Sequence, residues 1–285
     1  MKKPFNPFRQ FSLGVLWLWL GIFALLPILL MFGTSFLTPD PATLVLFKPT
    51  IKNYYQLLNQ HYLRISIQSL YLATSCALIC LVLGYPFAFI IARAKRKYQT
   101  LLLFFVIIPF WTSSLIRTYA IVALLKAKGI INSLLIATGI THAPSTILYT
   151  YTAVLIGCVY DLLPFMILPL YANIEKLNPE YIEAAQDLGA SKFTTFVKII
   201  IPLTSPGIIA GILAVFLPSI TMFYIPALLG GAKNILLGNL IEGQFLTANN
   251  WPVGAAINVV ITLIMCGLIV LYWNSNKSKL DKDLV

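Results

Sequence analysis

One carboxylate in the sequence lies within a long apolar stretch, where a charged side chain needs a partner. Asp161 follows Tyr160 and precedes Pro164 in a run of mostly aliphatic and aromatic residues. Because burying an unpaired carboxylate in a membrane is costly, an intramembrane acid indicates a functional site by default. A carboxylate beside aromatic faces suits an organic cation, through ion pairing and cation–π attraction. The alternatives are that Asp161 lies near the membrane rim or caps a helix broken by proline.

Prolines and aromatic residues form a second group of candidates. The prolines of the two relevant stretches are Pro164, Pro169, Pro202, Pro206, Pro218 and Pro226. Proline removes a backbone donor, and in a transporter the freed groups of a broken helix can line the path. Irregular packing is the alternative. We expect Phe223 and Tyr224 to be gate residues on the substrate path, whereas Trp111 is either a path residue or part of an interfacial aromatic belt.

Residues for hydrolytic, metal or nucleotide chemistry are scarce. His61 and His142 are isolated from other ligand types, and the four cysteines lie in apolar runs, which argues against a zinc site or a disulfide framework. The P-loop pattern G-x4-G-K-[ST] does not occur in these 285 residues. The sequence therefore predicts a chain that is not itself an enzyme and binds no cofactor of its own.

The elements that must position these candidates are membrane spans. The chain is 59% hydrophobic and only 10% charged, with a mean hydropathy of +0.86, whereas an ordinary soluble domain has roughly 25% charged residues. One soluble core cannot bury so much apolar surface, which excludes an ordinary soluble enzyme, a disordered tail and a fibrous protein. Six gaps between successive charged residues are each long enough for one helix of about 20 apolar residues.

We predict an all-α integral membrane protein with six spans in a single domain, residues 1–285. The spans lie near 12–37, 65–92, 99–116, 147–170, 200–229 and 252–273. Thirteen Lys and Arg residues then lie on the side of both termini and seven on the other, so both termini are expected in the cytoplasm. Contact with the lipid bilayer and this charge bias explain the net charge of +11, and no nucleic-acid partner is expected.

The loop near 171–198, between the fourth and fifth spans, carries four of the nine acidic residues. Asn178 can cap a helix that has Pro179 at its first position. Gly189 can end that helix in a left-handed conformation, and Ser191 can cap a second helix leading into the fifth span. The pattern predicts a compact cytoplasmic helix–turn–helix. It is either a docking surface for another protein or a capped connection between two spans.

The same loop resembles the EAA loop of ABC importer permeases, which has the form E-A-A-x3-G-x9-I-x-L-P. The matching residues are Glu183, Ala184, Ala185, Gly189, Ile199 and Pro202, with Ile201 at the Leu position. The resemblance implies a type I importer permease fold in the inner membrane and a coupling helix that docks on a cytoplasmic ATPase. It also implies a homologous second permease, two ATPase subunits that hold ATP and Mg, and an extracytoplasmic substrate-binding protein.

A narrower resemblance extends from about residue 100 to the tail. Segments 109–119, 159–165, 230–234 and 250–256 are similar to the first permease subunit of spermidine/putrescine importers. This implies ATP-driven alternating access for polyamines, whose ammonium groups suit the substrate path predicted above at Asp161 and Tyr160. A permease for another small solute of the family is the alternative. A stand-alone secondary transporter would need inverted repeats and its own ion-coupling charges, and a membrane enzyme would need a cluster of catalytic groups.

Overall fold

The computed structural model describes residues 7–40, 43–141, 143–144, 146–231 and 234–280, with side chains between 12 and 270. Predictions that involve His142, Lys233 or the extreme termini lie outside these residues. The contacts divide the chain into two compact units. The terminal unit comprises Met1–Leu63 and Leu240–Val285, and the central unit is Arg64–Asn239.

Several helices in the described part of the chain are long and apolar enough to cross a membrane. They are Ser12–Ser35, Gln60–Arg93, Ser114–Ala137, Tyr151–Ile174 and Trp251–Val270. A further pair of helices, Lys192–Leu203 and Ser205–Thr221, is bent by 68° at the break between them. The pair makes a sixth span if its two helices count as one. The predicted helical membrane fold is confirmed, with one short β-hairpin that the prediction did not include.

The terminal unit joins the two ends of the chain. Its elements are α1 (Pro7–Leu20), a π-helical turn (Gly21–Leu25), α2 (Leu26–Ser35), β1 (Leu37–Asp40), β2 (Leu44–Pro49), α3 (Lys52–Leu57), a second π-helical turn (Gly243–Thr247) and α14 (Trp251–Leu280). The two strands form an antiparallel hairpin that interrupts the helical chain. Asn53 of α3 donates to the carbonyl oxygens of Ser35 at 2.9 Å and Leu37 at 2.8 Å, and so satisfies the end of α2.

The central unit contains the remaining helices. They are α4 (Gln60–Arg93), α5 (Arg96–Ile107), a 3₁₀ turn (Ile108–Trp111), α6 (Ser114–Leu125), α7 (Ile130–Ala137), α8 (Tyr151–Ile174), α9 (Glu180–Asp187), α10 (Lys192–Thr195), a π-helical turn (Phe196–Ile200), α11 (Ile201–Leu203), α12 (Ser205–Thr221), a further π-helical turn (Pro226–Gly230) and α13 (Leu237–Glu242). Helices α4 and α13 each cross the boundary between the two units.

Helix α8 is the core of the central unit. Val154, Cys158, Leu162, Met166 and Leu170 are fully buried at intervals of four residues, which places them on one helical face. Helix α12 approaches this core through glycines four residues apart: a Cβ on Gly211 would lie 2.7 Å from the Met166 sulfur, and one on Gly207 would lie 2.6 Å from Asn173 Cβ. Small residues at this spacing allow two membrane helices to pack closely.

The region of the predicted third span, 99–116, is divided in the structure. Helix α5 ends at Ile107, a 3₁₀ turn follows, and α6 begins only at Ser114. Pro109 explains the break, because proline lacks the backbone N–H and clashes with the preceding helical turn. The candidate span of this region is Ser114–Ala137, which comprises α6 and α7. It contains Arg117, which the charge-gap prediction placed at the end of a span.

The contact between α8 and α12 generates a first prediction. Gly211→Val should lower the free energy of unfolding by about 1–3 kcal/mol, because its side chain would overlap the buried Met166. Gly14→Val is a matched control, since a Cβ at Gly14 meets nothing within 4 Å. Denaturation of the two purified variants in the same detergent compares them, and equal stability would contradict the packing argument.

Candidate functional site

Asp161 is the centre of a buried polar cluster in the central unit, which we call the Asp161 cluster. Asp161 is 7% exposed, and three side chains of the described residues contact its carboxylate. Oδ1 is 2.8 Å from Arg117 Nη2 and accepts a hydrogen bond from Ser114 Oγ at 2.7 Å. Oδ2 accepts from the Tyr224 hydroxyl at 2.9 Å. The negative charge is therefore both compensated and well hydrogen-bonded within the protein.

Three separate parts of the chain build the Asp161 cluster. Ser114 and Arg117 lie in the first turn of α6, three residues apart and thus on one helical face. Asp161 lies on α8, which runs through Pro164 and Pro169 without ending. Tyr224 follows α12, which ends at Thr221. The Ser114 and Tyr224 hydroxyl oxygens are only 2.8 Å apart, so the three segments meet around the carboxylate.

Among the described residues, the Arg117 guanidinium has an ionic contact with Asp161 and an aromatic contact with Phe110. Its side chain is 10% exposed, and its Cζ lies 5.4 Å from the centroid of the Phe110 ring, a cation–π distance. Phe110 in turn meets Phe165 edge-to-face at 5.0 Å. Within the described residues, however, the buried Nε and Nη1 atoms of Arg117 have no hydrogen-bond partner. Two donor atoms of this guanidinium are thus left unsatisfied.

The structure brings together only part of the predicted substrate path. Asp161 and Tyr224 bond directly, and Phe223 contacts Tyr224 edge-to-face at 5.9 Å. Tyr160 is exposed on α8, and consecutive helical residues do not share a face. Trp111 is exposed and packs edge-to-face on Phe104 at 5.5 Å.

Sequence reasoning missed three members of this neighbourhood, Phe110, Ser114 and Arg117. The signal was present, because Arg117 follows the apolar run 101–111 and precedes another, 120–125. A charge within apolar sequence calls for an opposite charge elsewhere in the chain.

The predicted pair of loop helices is present as α9 and α10, within the segment 178–195, which we call the acidic loop. Asn178 Oδ1 accepts from the Glu180 backbone N–H at 3.1 Å, and the helix begins at Glu180, one residue later than expected. Gly189 has a φ of +80° and so ends the helix in the left-handed region. Ser191 Oγ accepts from the Thr194 N–H at 3.1 Å and caps α10.

The acidic loop exposes both charge and apolar surface. Glu183, Ala184 and Gly189 are exposed, whereas Ala185 is buried beneath them. Large apolar side chains lie on the same loop, with Leu188 88% exposed and Phe193 76% exposed. Ile199 is half-buried and Pro202 is exposed in the chain that leads to α12. Exposed apolar residues beside a charge are typical of a protein-binding surface.

Known proteins resemble this chain over most of its length. A family described as "Binding-protein-dependent transport system inner membrane component" matches residues 84–279. The spermidine/putrescine transport system permease protein PotB of Haemophilus influenzae is 49% identical over 277 residues, which is 97% of each chain. PotB of Escherichia coli is 49% identical over 259 residues, 91% of this chain and 94% of that one.

A solved structure shares the fold. It is a bacterial alginate ABC transporter in complex with an alginate pentasaccharide-bound periplasmic protein. The matched chain superposes with a TM-score of 0.74 at 17% identity and covers 92% of this chain and 93% of its own length. The type of fold predicted from the acidic loop is therefore confirmed by a distant structure.

The Asp161 cluster generates a second prediction. Tyr224→Phe removes one hydrogen bond to the buried carboxylate and should lower the free energy of unfolding by about 1.5–3 kcal/mol, the usual range for a bond to a charged group. Tyr160→Phe is the matched control, because it removes the same atom from an exposed tyrosine next to Asp161. Chemical denaturation in detergent distinguishes them, and an equal loss in both variants would contradict the assignment.

Proposed function

The chain belongs to the family of inner-membrane components of binding-protein-dependent transport systems, and we propose that its substrates are polyamines of the spermidine and putrescine class. The protein is a multi-pass permease subunit of an ABC importer. The proposal for the substrate is carried by one observation: the identity of 49% extends over 97% of the chain to a permease named for spermidine and putrescine.

The acidic loop supports a coupling role in this permease. Its EAA-like residues form a short, capped helix that exposes Glu183 and ends at a left-handed Gly189. We propose that this loop faces the cytoplasm, as do both termini, and docks on an ATPase subunit. The exposed Leu188 and Phe193 would then be buried by the ATPase, which accounts for apolar side chains on a polar loop.

The proposed assembly contains four further subunits. A homologous second permease completes the pathway, and two cytoplasmic ATPase subunits bind ATP with Mg and supply hydrolysis. An extracytoplasmic binding protein delivers the substrate, a proposal supported by the periplasmic protein bound to the alginate transporter of similar fold. In this arrangement the present chain has no catalytic role and contributes the pathway and the coupling helix.

The geometry offers a route from the coupling helix to the pathway. From α10 the chain passes through a π-helical turn to Thr204, where it bends by 68° before α12. The buried Thr204 hydroxyl lies 2.8 Å from the Tyr85 hydroxyl, which fixes the bend against α4. Helix α12 then leads to Tyr224 and Asp161. We propose that ATP-driven movement of the acidic loop travels along this segment and opens the pathway by alternating access.

The substrate path in this proposal runs past Asp161, Tyr224 and Phe223. Tyr160 and Trp111 are exposed aromatic residues that we also assign to it. A carboxylate, hydroxyl groups and aromatic faces are the groups that bind alkylammonium ions.

Uptake by the reconstituted complex tests the substrate. Proteoliposomes that contain both permeases and the ATPases, supplied with binding protein and ATP, should accumulate labelled spermidine or putrescine. Unlabelled polyamine should compete, whereas a neutral diol of the same length should not. If the complex hydrolyses ATP and takes up neither polyamine, the proposed substrate is wrong.

Charge and backbone variants of the acidic loop test coupling. Glu183→Lys and Gly189→Val should each abolish uptake and weaken the binding of the ATPase to the permease. The first reverses a charge that we place in the interface, where loss of one partner costs a few kcal/mol. The second puts a β-branched residue at a φ of +80°.

Each of these variants has a matched control. Glu175→Lys makes the same charge reversal at an exposed position beyond the C-terminus of α8, where a cation is favourable. Gly189→Asn keeps the left-handed conformation accessible, and a Cβ there meets nothing within 4 Å. Both control variants should retain uptake and should still bind the ATPase. Normal uptake by Glu183→Lys or Gly189→Val, with ATPase at wild-type stoichiometry, would refute the coupling role.

A further inference from the structure

We propose that Arg117 is a tethered cation that occupies the ammonium site of Asp161 in the substrate-free molecule, and that substrate exchanges with it there. The inference rests on the proposed polyamine substrate and adds the residue that controls access to it. Among the described residues, the Asp161 carboxylate contacts Arg117, Ser114 and Tyr224, and the Arg117 guanidinium neutralises its charge. Because the guanidinium already neutralises the carboxylate, we expect a substrate cation to pair with Asp161 by displacing it.

The groups around the guanidinium are suited to an alkylammonium ion. Such an ion has three N–H donors and is compact. The hydroxyl oxygens of Ser114 and Tyr224 lie 2.7 and 2.9 Å from the Asp161 carboxylate oxygens and 2.8 Å from each other. The carboxylate and both hydroxyl oxygens can each accept one of these donors. The Phe110 ring, now 5.4 Å from the guanidinium carbon, offers a cation–π face.

Arg117 itself fits the site poorly. A guanidinium has five donors in a planar fork and binds a carboxylate best through two parallel bonds. Here only Nη2 contacts the carboxylate, while Nε and Nη1 are buried and, among the described residues, unpartnered. Buried donors without partners destabilise the state that contains them. The ion pair therefore neutralises both charges but leaves two buried guanidinium donors without hydrogen bonds among the described residues. A cation whose donors all find acceptors in the site can displace it.

The exchange would select for charge. A neutral solute offers nothing to replace the positive charge at Asp161, and a bare carboxylate with 7% exposure is strongly disfavoured. Arg117 would thus keep the site closed until a cation arrives. Because Arg117 is on α6 and Asp161 on α8, the arrival of substrate would also release a direct link between these two helices.

Binding measurements on the assembled complex test the exchange. The two permeases with their ATPases are placed in nanodiscs of zwitterionic lipid without binding protein, and labelled spermidine is titrated. Arg117→Gln should lower the half-saturating concentration about tenfold, as expected when about one molecule in ten has a free site at the start. Arg117→Lys should show no such gain in affinity, because it keeps a tethered cation at Asp161 and its ammonium suits the site at least as well as the guanidinium. In an Asp161→Asn background, Arg117→Gln should have no effect.

A second readout applies if Arg117→Gln is unstable. Its buried carboxylate lacks a counter-ion, so the unfolding temperature of the complex should fall and should be restored by putrescine but not by 1,4-butanediol, its neutral analogue. Arg117→Gln with Asp161→Asn should be stable without either compound.

The outcomes separate the two proposals. If spermidine binds Arg117→Gln no more tightly than wild type, and only Asp161→Asn restores stability, Arg117 merely neutralises the carboxylate and the inference is wrong. If the unchanged complex neither binds nor imports polyamine, the proposed substrate is wrong, and the exchange falls with it. Tighter binding together with rescue by putrescine alone supports the exchange.

Discussion

The ion pair between Arg117 and Asp161 is the interaction on which the organisation of the central unit depends. Neither charge is stable alone inside a span, and the two residues lie on different helices, so each fixes the position of the other. Ser114 and Tyr224 complete the carboxylate's hydrogen bonds and bring in the start of α6 and the chain after α12. One buried carboxylate thereby holds three segments that apolar packing by itself would orient only loosely.

The segments that carry the Asp161 cluster contain breaks and bends in their helices. A proline-broken turn at 108–111 ends α5 and allows α6 to begin with Ser114 and Arg117 in place. The bend at Thr204 directs α12, and glycines 207 and 211 let α12 lie against α8. In a bilayer each freed backbone group needs a partner, so such breaks persist where neighbouring protein surrounds them. The irregular positions therefore coincide with the region that we propose as the path.

The acidic loop and the Asp161 cluster are joined by a single stretch of chain, Lys192 to Tyr224. At one end Ser191 caps α10, and at the other the Tyr224 hydroxyl contacts the carboxylate. The intervening bend is held by the Tyr85–Thr204 hydrogen bond in a fully packed core. A short, bent and well-packed connection transmits displacement better than a flexible one, since packed interiors are close to incompressible. This continuity supports the proposed coupling of an ATPase outside the membrane to a site within it.

Much of this protein could be determined from the sequence, because the relevant signals are local. The apolar runs established a helical membrane protein, and Asn178, Gly189 and Ser191 predicted both helices of the acidic loop through caps that involve neighbours within three residues. The EAA pattern placed the chain in its family. The pairing at Asp161 was different in kind, since its partners Ser114 and Tyr224 are 47 and 63 residues away. Counting charge-free gaps treats a charged residue as the end of a span, so the predicted third span stopped at residue 116, just before Arg117. The predicted fourth span, near 147–170, did include Asp161, but its length gave no indication of the partners. Only the tertiary structure decides that two opposite charges meet, because their mutual neutralisation, and not their individual hydropathy, determines whether they can be buried.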